Sequence, residues 1–85
     1  MVVTDGGSYN GTYSYYMQWN GKNSWAKDVG TAYIYYAQWV PRQWALDGDT
    51  DEGDSAYYGP LDGDDPTGVY SEGEEVGWTP TVAWA

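Results

Sequence analysis

Aromatic and polar residues alternate along two stretches of the chain, 12–19 and 32–39. In the first stretch one face of an extended strand would carry Tyr13, Tyr15, Met17 and Trp19, and the other Ser14, Tyr16 and Gln18. A period of two residues is typical of a β-strand that buries one face. Both stretches are therefore predicted to be aromatic strands.

The two stretches belong to an internal repeat. YSYYMQWNGK (residues 13–22) returns as YIYYAQWVPR (33–42), and WAKD (25–28) returns as WALD (44–47) after the deletion of one residue. Each copy consists of an aromatic strand, a tight turn and a second strand that begins with tryptophan. Asn20-Gly21 is a strong signal for a two-residue hairpin turn, because both residues tolerate positive φ. The repeat therefore predicts two pseudo-equivalent hairpins.

The rest of the chain contains short β-favouring runs between loops rich in glycine and aspartate. We predict one all-β domain over residues 1–85, an antiparallel meander or sandwich-like sheet of about five to seven short strands. Its parts would be an N-terminal arm (1–11), the two hairpins (12–47), acidic loops with short strands (48–78) and an extended C-terminal tail (79–85).

Composition limits the chemistry that the chain can perform. The 85 residues include 10 Tyr and 6 Trp but no Phe, Cys or His. The usual general base and zinc ligand are therefore missing, and no disulfide can form. Tyrosine and tryptophan combine a ring with a polar tip, which suits half-buried surfaces. Carboxylates in glycine-rich loops are solvated, so we expect no enzymatic activity and no required cofactor.

Charge is distributed unevenly along the chain. Residues 1–46 contain two acids and all three cations, whereas residues 47–85 contain eleven acids and no cation, within a net charge of −10. Such a surface disfavours nucleic acids and anionic membranes, and favours solubility or docking on a basic surface. No basic and apolar leader precedes the first strand, so we expect synthesis in a cytoplasm without a signal peptide.

The order of several short motifs resembles a known family. These motifs are Asn10-Gly11-Thr12-Tyr13, Asn20-Gly21-Lys22, Tyr33-Ile34-Tyr35-Tyr36, Trp44, Tyr57-Tyr58, Trp78 and Pro80-Thr81-Val82. They look like a small β module that recurs in phage virion proteins and in surface proteins of aquatic bacteria. Trp25 stands where that pattern usually has tyrosine, and Ala45 where it has a branched residue. The resemblance implies a structural or adhesive accessory element on the outside of a particle.

Three groups of residues are candidates for binding. Asp47, Asp49 and Asp51 have the spacing with which carboxylates surround Ca²⁺, although a solvated turn is the simpler interpretation. Tyr16, Trp19, Tyr36 and Trp39 would form an aromatic contact surface, able to stack on sugar rings unless these side chains are simply the core. Pro80, Val82 and Trp84 would form a tail that pairs with another subunit.

Together these observations favour a non-catalytic accessory protein of a virion or other extracellular assembly, such as a capsid decoration or tail protein. Its partners would be a protein scaffold, a capsid or further copies of itself. The alternative is a carbohydrate-binding or adhesion module that uses exposed Trp and Tyr.

Overall fold

The computed structural model describes residues 1–38, 42–49, 55–61 and 63–85. In these residues nine strands form, and they are β1 (Val2–Thr4), β2 (Gly11–Trp19), β3 (Lys22–Lys27), β4 (Tyr33–Ala37), β5 (Gln43–Asp47), β6 (Tyr57–Leu61), β7 (Gly68–Val69), β8 (Ser71–Glu72) and β9 (Thr81–Ala83). A single turn of 3-10 helix, Gly7–Tyr9, separates β1 from β2. No helix in this part of the chain is long and apolar enough to cross a membrane. The all-β prediction is confirmed, with more strands than expected.

The strands form one antiparallel sheet in the order β7-β9-β1-β2-β3-β4-β5-β6-β8. Strands β2 to β6 follow the chain as a meander, and both predicted hairpins are present as the pairs β2–β3 and β4–β5. The first and last strands in the order, β7 and β8, are separated in the chain only by Tyr70. The sheet therefore nearly closes on itself.

Tyr70 holds this closure together. Its backbone N–H donates to the carbonyl of Pro80 (2.7 Å), and its buried hydroxyl donates to the carbonyl of Pro66 (2.6 Å). The ring lies directly over Gly59 of β6, where any Cβ would overlap it. A glycine at position 59 therefore lets the two ends of the sheet approach each other.

The interpretation of residues 1–11 as an arm is wrong for their first part. β1 lies between β9 and β2, with Val3 paired to Val82 on one side and to Gly11 on the other. Met1 and Val3 are buried. A segment as short as Val2–Thr4 carries no local signal for a strand, and one of its two partner strands, β9, lies at the opposite end of the chain.

Most buried side chains form one group, which we call the main core. Six of its thirteen members are aromatic, and the members are Met1, Val3, Tyr13, Trp25, Ala32, Ile34, Tyr36, Trp44, Leu46, Ala56, Tyr57, Tyr70 and Val82. A smaller group on the other face of the sheet, the outer cluster, contains Tyr35, Ala37 and Ala45 with Trp19 and Tyr33 packed against them. The sheet thus buries side chains on both faces of β4 and β5.

The first hairpin contains a β-bulge. Tyr15 opposes Trp25 and Gln18 opposes Asn23, so Tyr16 and Met17 together face the single residue Ser24. The extra residue inverts the alternation of side chains along β2. Tyr13 consequently points into the main core, whereas Trp19 packs on the outer cluster.

Candidate functional site

The turn of the first hairpin builds one wall of a surface groove. Asn20 and Gly21 both have positive φ (54° and 80°), as a primed hairpin turn requires. The Asn20 side-chain amide donates to the carbonyl of Tyr36 (2.8 Å), which ties the turn to β4. The side chains that flank this turn are therefore held in fixed positions.

Two amides lie side by side next to the turn. The two-residue turn places Gln18 opposite Asn23, and Gln18 Nε2 donates a hydrogen bond to Asn23 Oδ1. This bond uses one donor of Gln18 and one acceptor of Asn23, so each amide keeps further hydrogen-bonding capacity. Both side chains are exposed. The pair can therefore present donors and acceptors to a ligand.

A series of three tryptophans leads from the main core to the surface beside these amides. Trp44 is fully buried, and its ring centroid lies 6.1 Å from that of Trp25. Trp84 follows β9 and meets Trp25 edge to face, with centroids 5.7 Å apart and an interplanar angle of 75°. Because Trp84 is 59% exposed, most of its ring surface remains in contact with solvent.

An ion pair forms the remaining wall. Lys22 Nζ lies 2.5 Å from Asp64 Oδ1 and 4.9 Å from the centroid of the Tyr36 ring. Asp64 is positioned by its neighbour Gly63, whose carbonyl accepts a hydrogen bond from Trp44 Nε1 (3.3 Å). An exposed pair of this kind contributes roughly 0–1 kcal/mol to stability. Its clearer effect is to place both charges at the rim of the groove.

These side chains enclose a depression of about 240 Å³, which we call the Trp84 groove. Its principal lining residues are Gln18, Lys22, Asn23, Trp25, Asp64 and Trp84. An aromatic wall with converging amides and one ion pair is suited to binding a ligand that has both an apolar face and hydroxyl groups.

A larger depression of about 430 Å³ lies beside Trp78, which is 51% exposed. Its lining includes the carboxylate of Glu72, which already accepts a hydrogen bond from the backbone N–H of Gly77 (2.6 Å). The Trp78 ring also rests against Gly7. This depression offers fewer side-chain donors than the Trp84 groove.

The predicted aromatic contact surface does not exist as one surface. Tyr16 is exposed and stacks at an angle on Tyr33 (centroids 5.3 Å apart), and Trp19 packs against the outer cluster. Tyr36 is buried in the main core, on the opposite face, so the prediction that it is a contact residue is wrong. The reason is that the two hairpins differ in register by one residue. Tyr15 opposes the tryptophan of the first return strand, whereas Tyr36 opposes that of the second. Trp39 lies outside the described residues.

The predicted assembly tail is also corrected. β9 lies inside the sheet between β7 and β1, and Pro80 and Val82 are buried within the chain itself. These two side chains therefore cannot pack on another subunit while the sheet is intact. Trp84 alone remains exposed, and it lines the groove instead.

The proposed calcium ligands are only partly described. Asp47 is 8% exposed, and its Oδ1 accepts the backbone N–H of Gly48 (2.9 Å), whereas Asp49 is exposed. Burial raises the pKa of Asp47 to about 6, and the nearby charge of Asp49 adds to this effect. Asp51 lies outside the described residues, and among the described ones no three acidic side chains converge on a metal position. The calcium hypothesis stays a prediction.

The sequence predicted the Asn20-Gly21 turn and placed Gln18 in the strand before it, but it did not predict Lys22, Asn23 or Asp64 as members of one site. The signal for Lys22 and Asn23 was present, because residues that flank a two-residue turn lie opposite each other. Nothing local indicated that Asp64 and Trp84 would join them. In comparisons with protein-family models, curated proteins and solved structures, none matched this chain.

Proposed function

We propose that this protein is a non-catalytic accessory module of an extracellular assembly, most specifically a virion, and that it acts by recognition through the Trp84 groove. The observation that carries the proposal is the exposed Trp84 ring beside the paired amides of Gln18 and Asn23. Exposing a large apolar ring to water is energetically unfavourable unless a ligand covers it. Exposed tryptophans are accordingly enriched at the binding sites of proteins.

The rigidity of the surroundings supports recognition. One side of the groove is built on the paired strands β2 and β3 and on a turn tied to β4, so that side needs little ordering when a ligand binds. Asp47, the acid whose pKa is raised to about 6, is not among the residues that line the groove. The groove is thus suited to contacting a ligand by stacking and hydrogen bonding.

The acidic surface supports a place on the outside of a particle. A net charge of −10 keeps a small protein soluble and makes it repel anionic surfaces. Docking on a basic scaffold would neutralise part of this charge, whereas the Trp84 groove would stay available to an external ligand. The resemblance of the sequence to virion and surface modules agrees with this arrangement.

The test is to locate the protein in cultures that produce it. We expect an antibody against the chain to detect it in sedimented particles, and immunogold labelling to place it on their outer surface. A protein found only in the supernatant after complete sedimentation of particles would refute the accessory role. Trp84→Ala should remain on the particle, because the proposal assigns that residue to the external ligand.

A further inference from the structure

We infer that the Trp84 groove binds a single uncharged pyranose residue of a glycan. The inference rests on the proposed recognition role and adds the chemical class of the ligand. Four properties of the groove carry it, namely its size, its aromatic wall, its amides and its charge.

Size limits the ligand to about one ring. The groove measures about 240 Å³. Sites that enclose drug-sized molecules measure roughly 300–1,000 Å³. A longer glycan would therefore place one residue in the groove and extend from it into solvent.

The aromatic wall suits the apolar face of a sugar ring. A pyranose presents axial C–H groups on one face, and these pack well on an indole. Trp84 is supported from behind by Trp25, which is itself in contact with the buried Trp44. The exposed ring is thus backed by the main core, and stacking on it requires little loss of freedom.

The amides suit the hydroxyl groups. Each sugar hydroxyl donates one hydrogen bond and accepts others, and an amide side chain offers both functions. Gln18 and Asn23 are already paired with each other, so their positions are set before a ligand arrives. A ligand that only accepts hydrogen bonds, such as a phosphate dianion, would offer no donor to the amide oxygen of Gln18.

Charge selects against ionic sugars. The ammonium group of Lys22 is already paired with Asp64 at 2.5 Å, so it does not offer an unneutralised positive charge. An anionic sugar would approach the Asp64 carboxylate and a chain of net charge −10. A uronic or sialic acid is therefore repelled, while an uncharged hexose or N-acetylhexosamine is not.

The experiment titrates the purified chain with methyl glycosides of neutral hexoses and N-acetylhexosamines, followed by saturation-transfer NMR and tryptophan fluorescence. For a ligand of this size we expect a Kd on the order of 1 mM for at least one neutral sugar. Methyl glucuronide and methyl sialoside should bind at least about tenfold more weakly at low salt.

Variants assign the binding to the groove. Trp84→Ala should weaken binding about tenfold or more, since it removes the stacking surface. The double variant Gln18→Ala, Asn23→Ala should weaken binding severalfold while leaving the tryptophans in place. It therefore tests the groove even if Trp84→Ala disturbs the fold. Trp78→Ala is the matched control, because it removes an equally exposed indole outside the groove, and should bind like the parent chain.

Three results of the sugar titrations would overturn the inference. These are saturation by none of the neutral sugars, unchanged binding in both groove variants, and preference for the anionic sugars. Saturable binding of a proline-rich peptide instead of sugars, lost in Trp84→Ala, would also overturn it and assign the groove to a peptide. Particle location and sugar titration are independent measurements, so failure of the sugar inference leaves the accessory role standing, and the converse also holds.

Discussion

The two hairpins have nearly the same sequence and yet occupy different environments. In the first, Tyr15 opposes Trp25, and Tyr15 and Tyr16 are both exposed. In the second, Tyr36 rather than Tyr35 opposes its tryptophan, Trp44, and both tyrosines are buried. The second hairpin thus keeps throughout the register that the first adopts only beyond its bulge.

This difference shows which residues determine the register. Trp25 and Trp44 both lie in the main core, so the tryptophan of each return strand keeps its place while the tyrosines opposite it change faces. One extra residue in β2 is enough to produce the change. Repeated sequence therefore does not mean equivalent structure when one copy contains a bulge.

Deletion of Met17 should have the largest effect, because it removes the extra residue of the bulge. Either Tyr13 or Trp19 would then be forced to the wrong face of the sheet, and the hydrogen bond from Ser24 Oγ to the Met17 carbonyl (2.6 Å) would be lost. We expect a loss of more than about 4 kcal/mol, enough to unfold a domain of this size. Near-ultraviolet circular dichroism and urea denaturation measure it.

The control for this deletion is removal of Val29, an exposed residue in the loop between β3 and β4. It shortens the chain by one residue without changing the register inside a strand, and should cost less than about 1 kcal/mol. Equal stability of the two deletion variants would show that the bulge does not set the register.

Replacement of the two equivalent tyrosines, Tyr16 and Tyr36, by alanine should give the next largest difference in the free energy of unfolding. Tyr36 is 4% exposed and packs edge to face on Trp44 with centroids 5.5 Å apart, so Tyr36→Ala should cost about 3 kcal/mol or more. Tyr16, at the equivalent position in the first hairpin, is 47% exposed, and Tyr16→Ala should cost less than about 1 kcal/mol. Urea midpoints of the two variants provide the comparison. Similar losses would contradict the assignment of Tyr36 to the core.

The repeat places one aspartate at the end of each return strand, and the two have different environments: Asp47, the last residue of β5, is buried, and Asp28, directly after β3, is exposed. Burial raises the pKa of Asp47 to about 6, compared with 3.8 in the unfolded chain. The folded state therefore binds this proton more tightly, and the resulting stability is complete below pH 3.8 and is lost as pH rises through about 6. Asp28, its counterpart, is exposed and accepts a hydrogen bond from Ser14 Oγ (2.6 Å).

Asp47→Asn should therefore raise the free energy of unfolding at pH 7 by roughly 1–2 kcal/mol and flatten its dependence on pH in that window. Asp28→Asn is the control, and because Asn still accepts the Ser14 hydrogen bond it should change the free energy of unfolding at pH 7 by less than about 1 kcal/mol. Thermal melts across the acidic range measure both. If the calcium hypothesis holds instead, the parent chain gains a saturable stabilisation from Ca²⁺ at fixed ionic strength, and changing Asp47, Asp49 and Asp51 together to Asn removes it.

Local patterns were sufficient to predict much of the fold. A strand over residues 12–19 and the Asn20-Gly21 turn depend only on neighbouring residues, and both are present in β2, β3 and the turn between them. The prediction that Tyr13, Tyr15, Met17 and Trp19 share one face is wrong, because the bulge places Trp19 on the face opposite Tyr13. The closure of the sheet was not predictable in this way. It depends on pairing between Val2–Thr4 and Thr81–Ala83, which lie at opposite ends of the chain.

In the candidate site, too, some contacts were predictable from neighbouring residues and others depend on distant parts of the chain. Gln18 and Asn23 meet because of the turn between them, whereas Trp84 reaches Trp25 only because β9 is inserted beside β1. The buried position of Tyr36 escaped prediction for a different reason. A period of two residues shows that alternate residues share a face, but it does not say which face is buried when both carry aromatic rings.

The pairing of β1 with β9 also determines how the protein would respond to a pulling force. Val2 pairs with Ala83 and Thr4 with Thr81, so tension applied through residues 1 and 85 would load the Val2–Ala83 rung first. The residue pairs between β1 and β9 would then separate one after another, and Val3 and Val82 would leave the main core together. Tension between residue 85 and a ligand held at Trp84 would follow a different path. The part of it carried by the Trp84 ring would pass through a single peptide unit without loading the pairs between β1 and β9, so a tether on the residue 85 side would spare this pairing while the module holds its ligand.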